Sequence, residues 1–236
     1  MTTLLRAVAL SAGYHGHPVA RDLNLEVASG EVVALLGPNG AGKTTTLLTL
    51  AGAIPAIGGH VELNGHRTRA PLHRRAKQGL TLITEERAIF GQLSTRANLR
   101  VGRSDIEKAL ALFPELEPLL SRKAGLLSGG EQQMLTLARA LARDPKVLLA
   151  DELSLGLAPL VVTRLLSAVR AAADELRVGV ILVEQHVKQA LKVADRLYVM
   201  RRGEIVLSGT VAEVGGQLED AYLAEELPAD SLGKPS

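Results

Sequence analysis

Residues Gly37 to Thr45 read GPNGAGKTT. The order glycine, four residues, glycine, lysine, threonine is the pattern of a loop that grips nucleotide phosphates. Just upstream, Glu31 to Leu36 (EVVALL) is a β-branched, apolar run that predicts a buried strand. Just downstream, Thr44 to Ala51 is apolar enough to predict a helix. Strand, glycine turn and helix in this order give the motif its physical meaning. Gly37, Gly40 and Gly42 can take positive φ and turn backbone N–H groups toward one point. The start of the following helix adds its partial positive charge there. From this geometry Gly37, Pro38, Asn39, Gly40, Ala41, Gly42, Lys43, Thr44 and Thr45 are expected to line a phosphate site. Lys43 is expected to reach the β- and γ-phosphates, and the Thr44 hydroxyl to ligate Mg²⁺.

Such a site needs a carboxylate from a neighbouring strand. Val147 to Ala150 (VLLA) predicts that strand, and Asp151 ends it, placed to hold Mg²⁺. Glu152 follows directly, where a carboxylate can orient or deprotonate an attacking water. A third string, LSGGEQQ from Leu127 to Gln133, precedes the polar-then-apolar run Glu131 to Leu141. It predicts a helix start with Ser128 as cap and with glycine N–H groups exposed. Taken alone, the string reads either as an ordinary capped helix or as an anion site lacking its own lysine.

The three strings in this order resemble the ATP-binding-cassette ATPases, over about residues 4–223. The resemblance implies an α/β fold: a P-loop NTPase (RecA-like) core, an antiparallel β subdomain and a helical signature subdomain over about residues 86–143. It further implies that ATP binds with Mg²⁺ and that two cassettes close with each signature over the ATP of the other. Ser128, Gly129, Gly130 and Glu131 would then meet a nucleotide held by the partner chain. By the same resemblance, Tyr14 upstream of the P-loop stacks on adenine, and His186 in LVEQH hydrogen-bonds the γ-phosphate. A packing role for Tyr14 and a solvated loop for His186 are the alternatives. With Glu152 and Lys43, His186 completes the implied catalytic set.

Two positions depart from the commonest family pattern. Glu85 in LTLITEER stands where a Mg²⁺-sensing glutamine is usual; a carboxylate can still ligate the ion. Leu157 in SLGLAP stands where an aspartate is usual. Together with TEERAIFGQLSTRANL, LSGGEQQMLTLARAL, ADELSLGLAPLVV and QALKVADRLYVMRRGEIVLSGT, these two departures resemble one subgroup, the ATPase components of high-affinity branched-chain amino acid importers. Leu153, where a proline commonly follows the glutamate, is a mild departure. That resemblance implies membrane permease subunits as partners and, indirectly, an extracytoplasmic solute-binding protein. The second cassette is either a copy of this chain or a related one. Urea, amides, another hydrophobic cargo or an exporter remain open as alternatives, as does a non-transport cassette.

Composition sets further bounds. The chain has 236 residues, is 47% hydrophobic and has no cysteine, which suits one cytoplasmic α/β domain with a full core. Without cysteine there is no disulfide, thiolate zinc site or cysteine nucleophile. No apolar run approaches the roughly 18–20 residues of a membrane span, and no charged-then-apolar leader is visible. The expected location is the cytoplasmic face of a membrane, with the spanning helices on other chains. A net charge of +2 gives no reason to expect nucleic acid. His66 to Lys77 (HRTRAPLHRRAK) carries five Lys/Arg and no acid, and reads as a solvated face. HGH at His15 to His17 lacks further ligands nearby and is not read as a metal site.

The expected layout follows from the same periodicities. Leu4 to Val27 predicts two antiparallel strands with Tyr14 in the turn, and a short strand pair ends near Val61 to Leu63. Leu80 to Thr84 returns to the central sheet, and Ser94 to Arg143 is helical, broken at Pro114 and Pro118. Val147 to Ala150 and Val180 to Val183 are inner strands around a helix from Pro159 to about Leu176. Arg196 to Met200 and Glu204 to Ser208 form a closing hairpin, and the polar tail 224–236 is expected to be mobile.

Overall fold

The computed structural model describes residues 2–86, 88–185, 187–215 and 218. His186 and the tail 224–236 lie outside the described residues. The chain forms two sheets with helices between and beside them. Strands β1 (Thr3–Tyr14), β2 (His17–Ala28), β4 (Gly58–Leu63) and β5 (His66–Thr68) make an antiparallel sheet in the order β2-β1-β4-β5. A six-stranded sheet has the order β10-β9-β3-β8-β7-β6. Its strands are β3 (Val32–Leu36), β6 (Leu80–Ile83), β7 (Val147–Asp151), β8 (Gly179–Glu184), β9 (Arg196–Arg201) and β10 (Glu204–Thr210). Only β10 runs antiparallel to its neighbour.

The inner strands are fully buried, as expected of a parallel sheet covered on both faces. Their side chains alternate between two cores because successive residues of a strand point to opposite faces. Val147, Leu149, Ile181 and Val183 pack with Leu47 and Leu50 of α1 (Lys43–Ala51) and with Leu5, Leu10 and Leu23 of the antiparallel sheet. Leu148, Ala150, Val180 and Leu182 pack instead on α5 (Gly129–Leu141) and α6 (Pro159–Leu176). Helix α1 thus lies between the two sheets, and this alternation decides which way Asp151 and Glu184 point.

Between β6 and β7 the chain is helical in short pieces: α3 (Thr95–Val101), α4 (Ile106–Leu112), 3-10 turns at Pro114–Leu119 and Ala124–Leu126, then α5. Pro114 and Pro118 lie in the first 3-10 turn, which interrupts the α-helical run after α4 as expected. Phe113, Leu116, Leu99 and Leu135 close this unit onto the sheet. The short helix α7 (Val187–Ala190) precedes β9.

Three expectations are corrected. Tyr14 is the last residue of β1, and the turn is His15–Gly16, where His15 has φ 52° and Gly16 φ 80°. The segment at Val61–Leu63 begins a hairpin rather than ending one, since its partner β5 follows it. The basic run 66–77 is not wholly a solvated face: it contains α2 (Leu72–Lys77), in which Arg75 is buried. Its guanidinium donates to Thr49 O at 3.2 Å, Leu50 O at 2.5 Å and Ala70 O at 2.7 Å. The first two are carbonyls at the end of α1, where orphan acceptors and the negative helix end favour a cation.

Candidate functional site

The strand β3 delivers the chain into the loop 37–42, and three glycines there adopt the left-handed region: Gly37 at φ 147°, Gly40 at 79° and Gly42 at 97°. Gly37 is required for space as well as for φ, because a Cβ would lie 2.2 Å from Met200 O in β9. The turn after β9 braces the loop: Gly203 N donates to Ala41 O at 3.2 Å, and Arg21 N donates to Gly203 O at 2.9 Å. Helix α1 then starts at Lys43 with Gly42 as its cap and no side-chain cap hydrogen bond. Its first N–H groups are therefore left for an anionic ligand.

Lys43 is buried, and its Nζ donates to Gly37 O at 2.7 Å and Pro38 O at 3.0 Å. Burial lowers its pKa, against the opposing pull of Glu152 and Asp151. Asp151, at the end of β7, shares the parity of Leu149 and so faces α1. It is 2% exposed. Burial raises its pKa; the Thr44 hydroxyl works against that shift, Glu152 adds to it, Lys43 opposes it and Glu85 adds to it. The chain thus brings Lys43, Thr44, Asp151, Glu152 and Glu85 into one electrostatic cluster. Asp151 Oδ1 is buried without a hydrogen-bond partner among the described residues. A buried carboxylate oxygen with no donor is costly unless a cation or donor meets it. Beside an exposed Thr44 hydroxyl, this donor set fits Mg²⁺, a hard ion that prefers oxygen ligands.

Glu152 sits in the left-handed region at φ 47°. Its N–H donates to Val183 O at 3.0 Å, extending the β7–β8 pairing by one residue. Its Oε1 accepts from Gln185 Nε2 at 2.7 Å. It opens onto a cleft shared with Glu85, Glu86, Gln133, Leu153 and Leu155. Ser154, two residues on, donates from Oγ to Glu184 Oε2 at 2.5 Å and from N to Oε1 at 3.2 Å. Neither Gln185 nor the Ser154–Glu184 pair was singled out from sequence. The one available signal was the glutamate at the buried end of an otherwise apolar strand, which must find a donor.

The signature string opens α5 with Ser128 at the cap. A capping box closes it: Glu131 N donates to Ser128 Oγ at 3.3 Å, and Ser128 N donates to Glu131 Oε2 at 2.6 Å. The Glu131 side chain is thereby drawn back onto its own helix start, while Gly129 and Gly130 keep first-turn N–H groups without an intrahelical acceptor. Among the described residues no hydrogen bond joins 128–131 to the loop 37–45. Gln133, the last residue of the string, does line the Glu152 cleft. Tyr14 is 45% exposed at the tip of the β1–β2 hairpin, paired with His17. That hairpin end reaches the loop through Val19 and Ala20, which pack against Gly42.

Residues 20–154 match the family described as ABC transporter. The chain is 40% identical over 223 residues to the high-affinity branched-chain amino acid transport ATP-binding protein BraG of Pseudomonas aeruginosa, covering 89% of this chain and 95% of that one. It is 34% identical over 236 residues to the lipopolysaccharide export system ATP-binding protein LptB of Escherichia coli, covering 94% and 98%. Among solved structures, an ATP-binding subunit of an ABC transporter superposes with a TM-score of 0.80 at 27% identity, over 94% of this chain and 98% of that one.

Proposed function

The chain belongs to the ABC transporter family, and we propose that its ATPase powers import of branched-chain or other hydrophobic amino acids. As a family member it is an ATP-binding, ATP-hydrolysing subunit coupled to transport. Among the described residues no helix is long and apolar enough to cross a membrane, which suits a subunit docked on permease chains at the cytoplasmic face. The reading takes residues 1–223 as one cassette. The observation that carries the chemistry is the buried, unpartnered Oδ1 of Asp151 beside Lys43 and Thr44. The cargo assignment is supported by the likeness to BraG.

In this reading the Tyr14 ring stacks on adenine and the N–H groups of residues 37–45 hold the phosphates. Lys43 leaves its two loop carbonyls to meet the β- and γ-phosphates. Thr44 and Asp151, with Glu85 nearby, would hold Mg²⁺, which when bound offsets the phosphate charge. Glu152 takes a proton from water as the water oxygen attacks the γ-phosphorus. The bond from that phosphorus to the β–γ bridging oxygen then breaks, and its electron pair leaves with ADP. His186 is assigned to the γ-phosphate by family resemblance alone. The exposed start of α5, carrying glycine N–H groups but no lysine, is read as the half-site for ATP held by a second cassette.

The direct test is uptake of labelled leucine by cells carrying the chain with its membrane partners. Loss of uptake on Lys43→Ala supports the reading. Likeness to LptB favours one second reading, lipid export. Unchanged leucine uptake with lipopolysaccharide retained in the inner membrane would replace the first reading by that one.

A further inference from the structure

Glu152 is the residue assigned to activate water, and its backbone lies in a region that L side chains rarely adopt. Something must hold it there. The turn that follows is tied to the end of β8 at successive points. Glu152 N donates to Val183 O at 3.0 Å. Ser154 then engages both oxygens of Glu184, through N at 3.2 Å and Oγ at 2.5 Å. Both partners are buried, Glu184 at 1% and Ser154 at 4% exposure. Glu184 has the parity of Val180 and Leu182, so it points away from α1 and under the turn. The Glu152 side chain is then caught from the same strand end, where Gln185 Nε2 donates to its Oε1 at 2.7 Å.

We infer that Gln185 is a positioning residue for ATP hydrolysis, holding one oxygen of Glu152 so that the other faces the attacking water, with the Ser154–Glu184 pair fixing the turn beneath. A glutamate carboxylate, on three rotatable bonds, can swing; a neutral amide donor on one oxygen restricts that freedom without adding charge. Charge matters here, because Lys43, Asp151, Glu85, Glu86 and Glu184 already surround the turn. Gln185 touches neither the loop 37–45 nor the start of α5 through any hydrogen bond among the described residues. Its loss is therefore expected in the chemical step and not in nucleotide affinity.

The inference rests on the reading of Glu152 as the base, and the experiment separates the two. Steady-state ATPase and nucleotide affinity are measured for the full chain with its partners as Gln185→Met, Gln185→Lys, Glu152→Gln and the Glu152→Gln/Gln185→Met double variant. Gln185→Met keeps the length but not the donor, and kcat should fall about ten-fold or more with ATP affinity unchanged, as expected of a misplaced catalytic group. Gln185→Lys restores a donor but adds the positive charge that the amide avoids, which weakens Glu152 as a base, so kcat should stay below wild type while ATP affinity is unchanged. In the Glu152→Gln background, Gln185→Met should have no further effect, because the two act as one unit. Wild-type kcat for Gln185→Met, with Glu152→Gln inactive, overturns the inference alone. Wild-type turnover by Glu152→Gln overturns the reading beneath it.

Discussion

Lys43 Nζ donates to Gly37 O at 2.7 Å, so the cation of the phosphate loop is held over the first carbonyl of that loop. Gly37 cannot move to accommodate a side chain, because a Cβ there would meet Met200 O at 2.2 Å. Gly37→Ala is therefore expected to displace the loop and weaken ATP binding by at least about ten-fold, through strained backbone as well as overlap. Lys43→Met, by contrast, removes a buried cation whose pKa is depressed chiefly by burial. It should lose ATP binding while leaving the melting temperature unchanged or raised. Fluorescent-nucleotide titration and calorimetry check both.

Asp151 gives a prediction with a sign. Its folded-state pKa is raised, chiefly by burial, so the ionised form is penalised by folding. The stability linked to this group is fully present below the ordinary carboxylate pKa and is lost as pH rises through the raised value. In EDTA and without nucleotide, Asp151→Asn should match the wild type at low pH and exceed it at neutral pH. A gain of about 1 kcal/mol, worth about 2–4 °C in a chain of this size, is the expected scale. Stabilisation by Mg-ATP should disappear in the same variant.

Tyr14 presents an exposed ring at the tip of the hairpin whose second strand, through Val19 and Ala20, lies against Gly42. If adenine stacks there, Tyr14→Ala should cost about 1–3 kcal/mol of ATP affinity and Tyr14→Phe little, as for other base–aromatic contacts. Equal affinities for all three in a titration would return Tyr14 to a surface residue of β1.

Arg75 is expected to act on stability rather than chemistry. Arg75→Met would strand the carbonyls of Thr49, Leu50 and Ala70. A loss of about 2–3 kcal/mol on urea unfolding is expected from these buried acceptors, with the ATPase rate of the folded fraction retained.

The legible parts of this molecule were those in which chemistry dictates residue type. A loop that must take φ > 0 and approach Met200 O needs glycine, and strands buried on both faces must be apolar, so GPNGAGKTT and VLLADE stood out. The paired sheets followed from the same alternation. What stayed hidden depends on long-range partners. Arg75 looks like any cation of a basic run until α1 ends beneath it. Gln185 looks like a polar loop residue until β8 sets it beside Glu152. Tyr14 is next to the turn in sequence, and only the pairing of β1 with β2, which runs to Tyr14 and His17, shows that it ends the strand instead. The carboxylate of Glu131 closes the capping box on Ser128, a contact that the S-x-x-E spacing permits without requiring.

The measurement that bears most directly on the central claim is phosphate release by Glu152→Gln, with Mg-ATP binding followed in the same preparation. Removal of a general base is expected to lower kcat by about 10²–10⁴-fold while binding is retained. Hydrolysis by Glu152→Gln at the wild-type rate would contradict the account, and the carboxylate that Gln185 holds would then have no part in the reaction.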